Sequence, residues 1–151
     1  MARISEILLL NEIEHYTITK RKKIDFMNEY ADFMEKTLKE IDEYLKNNNL
    51  FRCSAPMVCF HNMDLENLDI EIGYHIESNI GCKDFEIKKV HTKTVIETID
   101  LGAYEQQDPT LMDMFKWIED NNYSMNGEIY YYYLNDPNRP ESQYLTKMVI
   151  P

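Results

Sequence analysis

Two features of this chain carry residue types that could do chemistry: four consecutive tyrosines, Tyr130 to Tyr133, and a glutamate, Glu71, between apolar residues of the strand-like run Leu68 to Ile76. Aromatic faces with phenolic tips make an adaptable lining for planar or cationic ligands, and each ring near a cation contributes about 0.5–2 kcal/mol. A carboxyl group beside Ile70, Ile72 and Tyr74 has the apolar surround that raises a pKa, which is what a general acid needs. Glu71 is therefore the catalytic candidate, against the plainer reading of an exposed strand residue. His15, His61, His75 and His91 are scattered, and none pairs with a histidine or cysteine at ligand spacing, so no metal is expected. Cys53, Cys59 and Cys82 match neither a disulfide framework nor a C-x-x-C site and read as buried thiols. With four glycines there is little material for a phosphate loop, and no nucleophile elbow or Cys-His signature is present. No cofactor is expected.

The net charge of −11, from 27 acidic and 16 basic residues, repels phosphate backbones and attracts cations. Direct nucleic-acid binding is thereby disfavoured. The basic cluster Lys20 to Lys23 reads as the start of a helix, answered by Asp25, Glu29 and Asp32. The N-terminus lacks a secretory signal, and no stretch approaches the ~18 apolar residues needed to span a bilayer, which points to the cytoplasm and away from membranes. The 151 residues fit one domain, 1–151.

The elements that must position these groups follow from periodicity. Ile24, Met27, Ala31, Met34, Leu38, Ile41 and Leu45 recur at steps of three and four and form one helical stripe ending at Asn47-Asn48-Asn49. A shorter helix starts at Asp108-Pro109-Thr110, with Asp108 as cap, and buries Leu111, Met114, Phe115 and Ile118. Strands are expected near Ile4 to Leu10, His15 to Thr19, Met57 to His61, Leu68 to Ile76, Val90 to Ile99, Glu128 to Leu134 and Tyr144 to Ile150. The last two are joined by a hairpin loop, Asn135 to Pro140, whose two prolines cannot join a ladder.

Tyr44 to Asn49 lies over Trp117 to Asn122 and continues without a gap into Met57 to Phe60 over Tyr130 to Tyr133; upstream, Glu6-Ile7 lies over Glu86-Ile87. The chain thus reads as two β-α-β-β copies, about 1–77 and 84–151. Together they predict an α+β fold, an antiparallel sheet with two helices on one face and a ligand cleft on the other. If the duplication holds, Val58 and Phe60 stand where Tyr131 and Tyr133 do, and the turn at Tyr104 converges with them and Ile129 on one aromatic groove. The alternative for the tyrosines is ordinary cross-strand pairing or a homodimer surface. Trp117 either backs the cleft or anchors the second helix on the sheet.

Leu101-Gly102-Ala103-Tyr104, the helix ending in Trp117-Ile118, Tyr133-Leu134-Asn135-Asp136-Pro137, the terminal Val149-Ile150-Pro151 and the earlier Asp69 to Tyr74 resemble the GyrI-like family. That family includes effector-binding domains of AraC-type and MerR-type multidrug regulators. The resemblance implies a cleft between two copies that takes lipophilic, often cationic, molecules; with no DNA-binding segment expected here, it implies a stand-alone binding domain. Family members carry a glutamate two residues before the tyrosine of the Tyr-Leu-Asn-Asp-Pro segment, where this chain has Tyr131, and Glu128 should point to the opposite face. Some relatives are thought to hydrolyse strained electrophiles with an acidic and an aromatic group, which makes Glu71 and a cleft tyrosine the enzymatic alternative. The leading expectation is a non-enzymatic small-molecule sensor. A third reading is a protein-interaction module acting on a topoisomerase, as the family's name suggests.

Overall fold

A computed structural model describes residues 2–104, 107–135 and 138–151 and divides the chain into two compact units. Unit A is Ile13–Thr92; unit B is Met1–Glu12 with Lys93–Pro151. Unit A holds strand β3 (His15–Ile24), helix α1 (Phe26–Asn47), β4 (Met57–Phe60), β5 (Leu68–Ile76) and β6 (Glu86–Val90). Unit B holds β1 (Ala2–Arg3), β2 (Leu8–Glu12), β7 (Lys93–Leu101), α2 (Asp108–Asp120), β8 (Ile129–Tyr133) and β9 (Leu145–Ile150). The protein is α+β and its strand pairs are antiparallel.

The order along the sheet is β6-β3-β5-β4 in unit A and β8-β9-β7 in unit B, with β1 and β2 both paired to β7. Each unit therefore contains a strand, helix, strand, strand run with the same pairing. Asn49 and Asn122, which the sequence match superposes, both leave their helices in the left-handed conformation, at φ 55° and 61°, a state asparagine tolerates better than most residues.

Which face the helix covers in unit A follows from register, because residues directly opposite in an antiparallel pair share a face. Ile18 lies opposite Tyr74, Val58 opposite Ile72 and Phe60 opposite Ile70. Ile18, Tyr74 and Ile76 pack with Ile41 and Leu45 of α1, and the Phe60 ring meets Tyr30 of α1 at 6.3 Å. The opposite face carries Thr17, Thr19, Met57, Cys59, Glu71 and Gly73, and all but Gly73 have side chains to bury there.

Gly73 is required by a close approach of strands. A Cβ at this position would overlap the Ile18 carbonyl of β3. Gly73→Ala should lower stability by about 1–3 kcal/mol, the usual range for overpacking, and urea unfolding would show it as a lower midpoint at unchanged slope. An unchanged midpoint would mean the two strands can part freely.

In unit B, Asp100 of β7 accepts a hydrogen bond from Thr110 of α2 at 2.5 Å, and Gln107, just before α2, donates to Thr146 of β9 at 2.8 Å. Asp100 and Thr146 are opposite one another, Thr146 is opposite Tyr133, and Met148 is opposite Tyr131. The face covered by α2 is thus the one that carries Ile129, Tyr131 and Tyr133.

Several boundaries differ from the sequence reading. Lys20 to Lys23 and Ile24 belong to β3, not to the first helix, because Asp25 caps α1 by accepting from the Met27 amide at 3.3 Å. Their charges are met elsewhere: Arg21 by Asp69 in a bidentate pair at 2.8 Å, Lys20 by Glu40 at 3.5 Å. Met27, placed on the apolar stripe, is 80% exposed. The residue before α2 is Gln107, with Asp108 inside the first turn, where its charge suits the helix dipole. Strand β6 was not foreseen, since Glu86-Ile87-Lys88-Lys89-Val90 is too polar to announce itself; Glu6 and Ile7, matched to it, lie outside any strand. Cys59 is buried, but Cys53 is exposed and Cys82 half-buried. Of the expected loop Asn135 to Pro140, Asp136 and Pro137 lie outside the described residues. Among the described residues no helix is long and apolar enough to cross a membrane.

Candidate functional site

Glu71 sits in the middle of β5 with both lateral neighbours in place, β3 on one side and β4 on the other, and only 3% of it is exposed. Alternation along Ile70-Glu71-Ile72 sends the two isoleucines toward α1 and the carboxylate to the face that α1 does not cover. A buried carboxylate needs compensation, and the surrounding strands supply it. Thr19 Oγ1 of β3 donates to Oε2 at 2.5 Å, and His61 Nε2, one residue past β4, lies 2.9 Å from Oε1. Lys88 Nζ, from β6, lies 2.7 Å from Oε2.

Burial by itself pushes the Glu71 pKa up, but the hydrogen bonds from His61, Lys88 and Thr19 overcome it and leave the value at about 2. Glu71 is therefore a carboxylate at neutral pH. The acid role expected from the sequence requires the opposite state, so on this geometry Glu71 attracts positive charge rather than giving up a proton.

The residues expected to line an aromatic groove are placed differently. Val58 and Phe60 point to α1, and Ile129, Tyr131 and Tyr133 lie on the α2 face of unit B. The physical reason is that each helix needs an apolar floor, and these positions are the apolar or aromatic members of their strands on that face. Tyr104 is 40% exposed and stands 4.8 Å from the Tyr133 ring and 4.9 Å from Tyr144, an aromatic cluster whose burial raises the Tyr104 pKa. Trp117 stacks on Tyr123 at 5.8 Å and folds the chain back after α2.

The other face of unit B also carries rings, Tyr130 and Tyr132, opposite Val149 and Lys147. Lys147 lies over the Tyr132 ring at 4.6 Å and Lys93 over Tyr130 at 4.7 Å, so this face already engages ammonium groups. Tyr130 also donates to Glu128 at 3.1 Å, which puts Glu128 on the side away from Tyr131. A cavity of about 320 Å³ in unit B is lined by Ile96, Ile118, Tyr123 and Ile150 among others, and its described lining includes no acidic side chain and none of the expected site residues.

Sequence reasoning missed His61, Lys88 and Thr19. One signal was available: a glutamate between Ile70 and Ile72 in a strand, if buried, must have cationic or donor partners nearby.

Comparison with known proteins agrees with the architecture. The family model for the GyrI-like small molecule binding domain matches residues 5–151. The chain is similar to the EcmrR C-terminal domain, with TM-score 0.84 and 15% identity over 98% of this chain and 97% of that one. It is similar to a hydrolase from Listeria innocua, with TM-score 0.71 and 11% identity over 99% and 93% of the two chains. It also resembles SAV2435 bound to tetraphenylphosphonium, with TM-score 0.64 and 8% identity over 97% and 93%. At these identities the likeness is one of fold. No curated protein matches the sequence.

Proposed function

The chain belongs to the GyrI-like small molecule binding domain family, and from that premise we propose that it is a receptor for a lipophilic, positively charged small molecule, acting as an effector-binding domain of the transcription-regulator type. The observation that carries this reading is the buried, ionised Glu71 on a face that no helix of its unit covers. A carboxylate withdrawn from water holds a cation in contact more strongly than a solvated one, because the medium screens the pair less, and the Lys88 ammonium at 2.7 Å marks the place such a cation takes. The acidic net charge of −11 draws cations in the same direction. A relative of this fold holds tetraphenylphosphonium, a cation of that description. The hydrolase reading is the weaker one here, since its acid would be deprotonated.

Thermal unfolding in the presence of lipophilic cations, neutral aromatics and bile-acid-like anions tests the proposal. A ligand at ~100 times its Kd adds about 2.7 kcal/mol, roughly 5–10 °C for a domain of this size. Cations should raise Tm, and Glu71→Gln should remove the rise. A response to anions alone, or to none of the panel, would overturn the proposal.

A further inference from the structure

We propose that Lys88 is a resident competitor in the Glu71 site: its ammonium holds the place of the ligand's cation and must leave when the ligand binds. The inference rests on the cation-receptor reading above and adds what limits affinity and which cations succeed.

Among the described residues three side chains hydrogen-bond or ion-pair with the Glu71 carboxylate, and they are not equivalent. Thr19 is fully buried in β3 and the His61 side chain, just past β4, is 12% exposed, so both are held closely by the surrounding protein. The Lys88 side chain is 36% exposed and comes from β6, whose described pairing is with β3 alone. Of the three donors, Lys88 is the one with an open route to solvent. Its departure leaves the carboxylate still held at both oxygens, by Thr19 on Oε2 and His61 on Oε1.

The chemistry of the exchange favours a particular class of cation. A primary ammonium is compact and strongly hydrated, and it is tethered by a stem that loses rotamer freedom when pinned. Returning it to water restores both hydration and freedom. A large organic cation with its charge spread under apolar groups gives up little hydration on entering, and the site stays neutral because one positive charge replaces another. Small hydrated cations have no such advantage over Lys88. The pair therefore acts as a filter for poorly hydrated, lipophilic cations, at the expense of affinity.

The test uses two ions of one shape and opposite charge, tetraphenylphosphonium and tetraphenylborate, titrated calorimetrically into the wild type, Lys88→Met and Lys88→Arg. With Lys88→Met the phosphonium should bind about tenfold or more tightly than to the wild type while the borate does not gain; Lys88→Arg should stay near the wild type. Unchanged or weaker phosphonium binding by folded Lys88→Met overturns the competitor role, even where the wild type binds the phosphonium. Failure of every variant to bind the phosphonium overturns both this inference and the receptor reading. Should Lys88→Met not fold, the wild type answers directly: saturating phosphonium should increase acetylation of Lys88 by an amine-reactive ester, read by mass spectrometry. Unaltered or reduced labelling would mean that Lys88 stays on Glu71.

Discussion

A chain with alanine at both Tyr131 and Tyr133 should fail to hold its fold, rather than fold normally and lose a ligand. Tyr131 is 8% exposed and lies opposite the fully buried Met148, on the face of unit B that α2 covers. Tyr133 lies opposite Thr146, which Gln107 anchors, and packs its ring against Tyr104. Truncating one large buried aromatic to alanine costs about 3–5 kcal/mol, through lost burial and the cavity left behind. Native stability is about 5–15 kcal/mol in all, so Tyr131→Ala alone removes much of it and the pair should bring unfolding close to ambient conditions. Circular dichroism and urea unfolding of the single and double variants would decide the matter. A double variant with native stability would return these tyrosines to an exposed groove, which is where the sequence pattern alone had put them.

Acid should destabilise the wild type more steeply than Glu71→Gln. The Glu71 pKa is about 2 in the folded protein against an ordinary value of 4.5, so the unfolded chain binds its proton first as pH falls. The stabilisation from this group is fully present above pH ~4.5 and is lost as pH drops through ~2. One pKa unit corresponds to 1.36 kcal/mol, which makes the full contribution about 3 kcal/mol, with about 2 kcal/mol gone by pH 3. Asp69, held down by its hydrogen bond to Arg21, adds to the acid sensitivity in both proteins. The difference between wild type and Glu71→Gln therefore isolates the buried group. Urea midpoints measured at pH 7 and pH 3 should fall further in the wild type; parallel slopes would show that Glu71 is solvated and has no special charge state. Glu71→Gln should also be weaker at pH 7, since His61 and Lys88 would then face a neutral amide.

Much of the fold was legible in local pattern. Hydrophobic period, turn residues and caps are short-range properties, so the strands around Met57, Leu68, Ile96, Glu128 and Tyr144 and both helices could be placed, as could the shared Asn49 and Asn122 helix exits. The family resemblance, carried by ordered motifs along nearly the whole chain, agrees with the match over residues 5–151. The start of α1 was misplaced by the continuity of the apolar spacing through Ile24, where the Asp25 cap decides the boundary by accepting from the Met27 amide and donating its own amide to Glu29.

Glu71 was picked out by the sequence, yet with the wrong charge state, and that error has a clear cause. Its apolar neighbours along the chain are visible in the sequence, whereas Thr19, His61 and Lys88 reach it only across strand pairings, and these reverse the effect of burial. The same holds for the tyrosines. Alternation established that Tyr131 and Tyr133 share one face and Tyr130 and Tyr132 the other, because a strand has a period of two. Only the packing of α2 through Asp100 and Thr146 decided which of those faces the helix covers, since that depends on contacts between elements far apart in the chain.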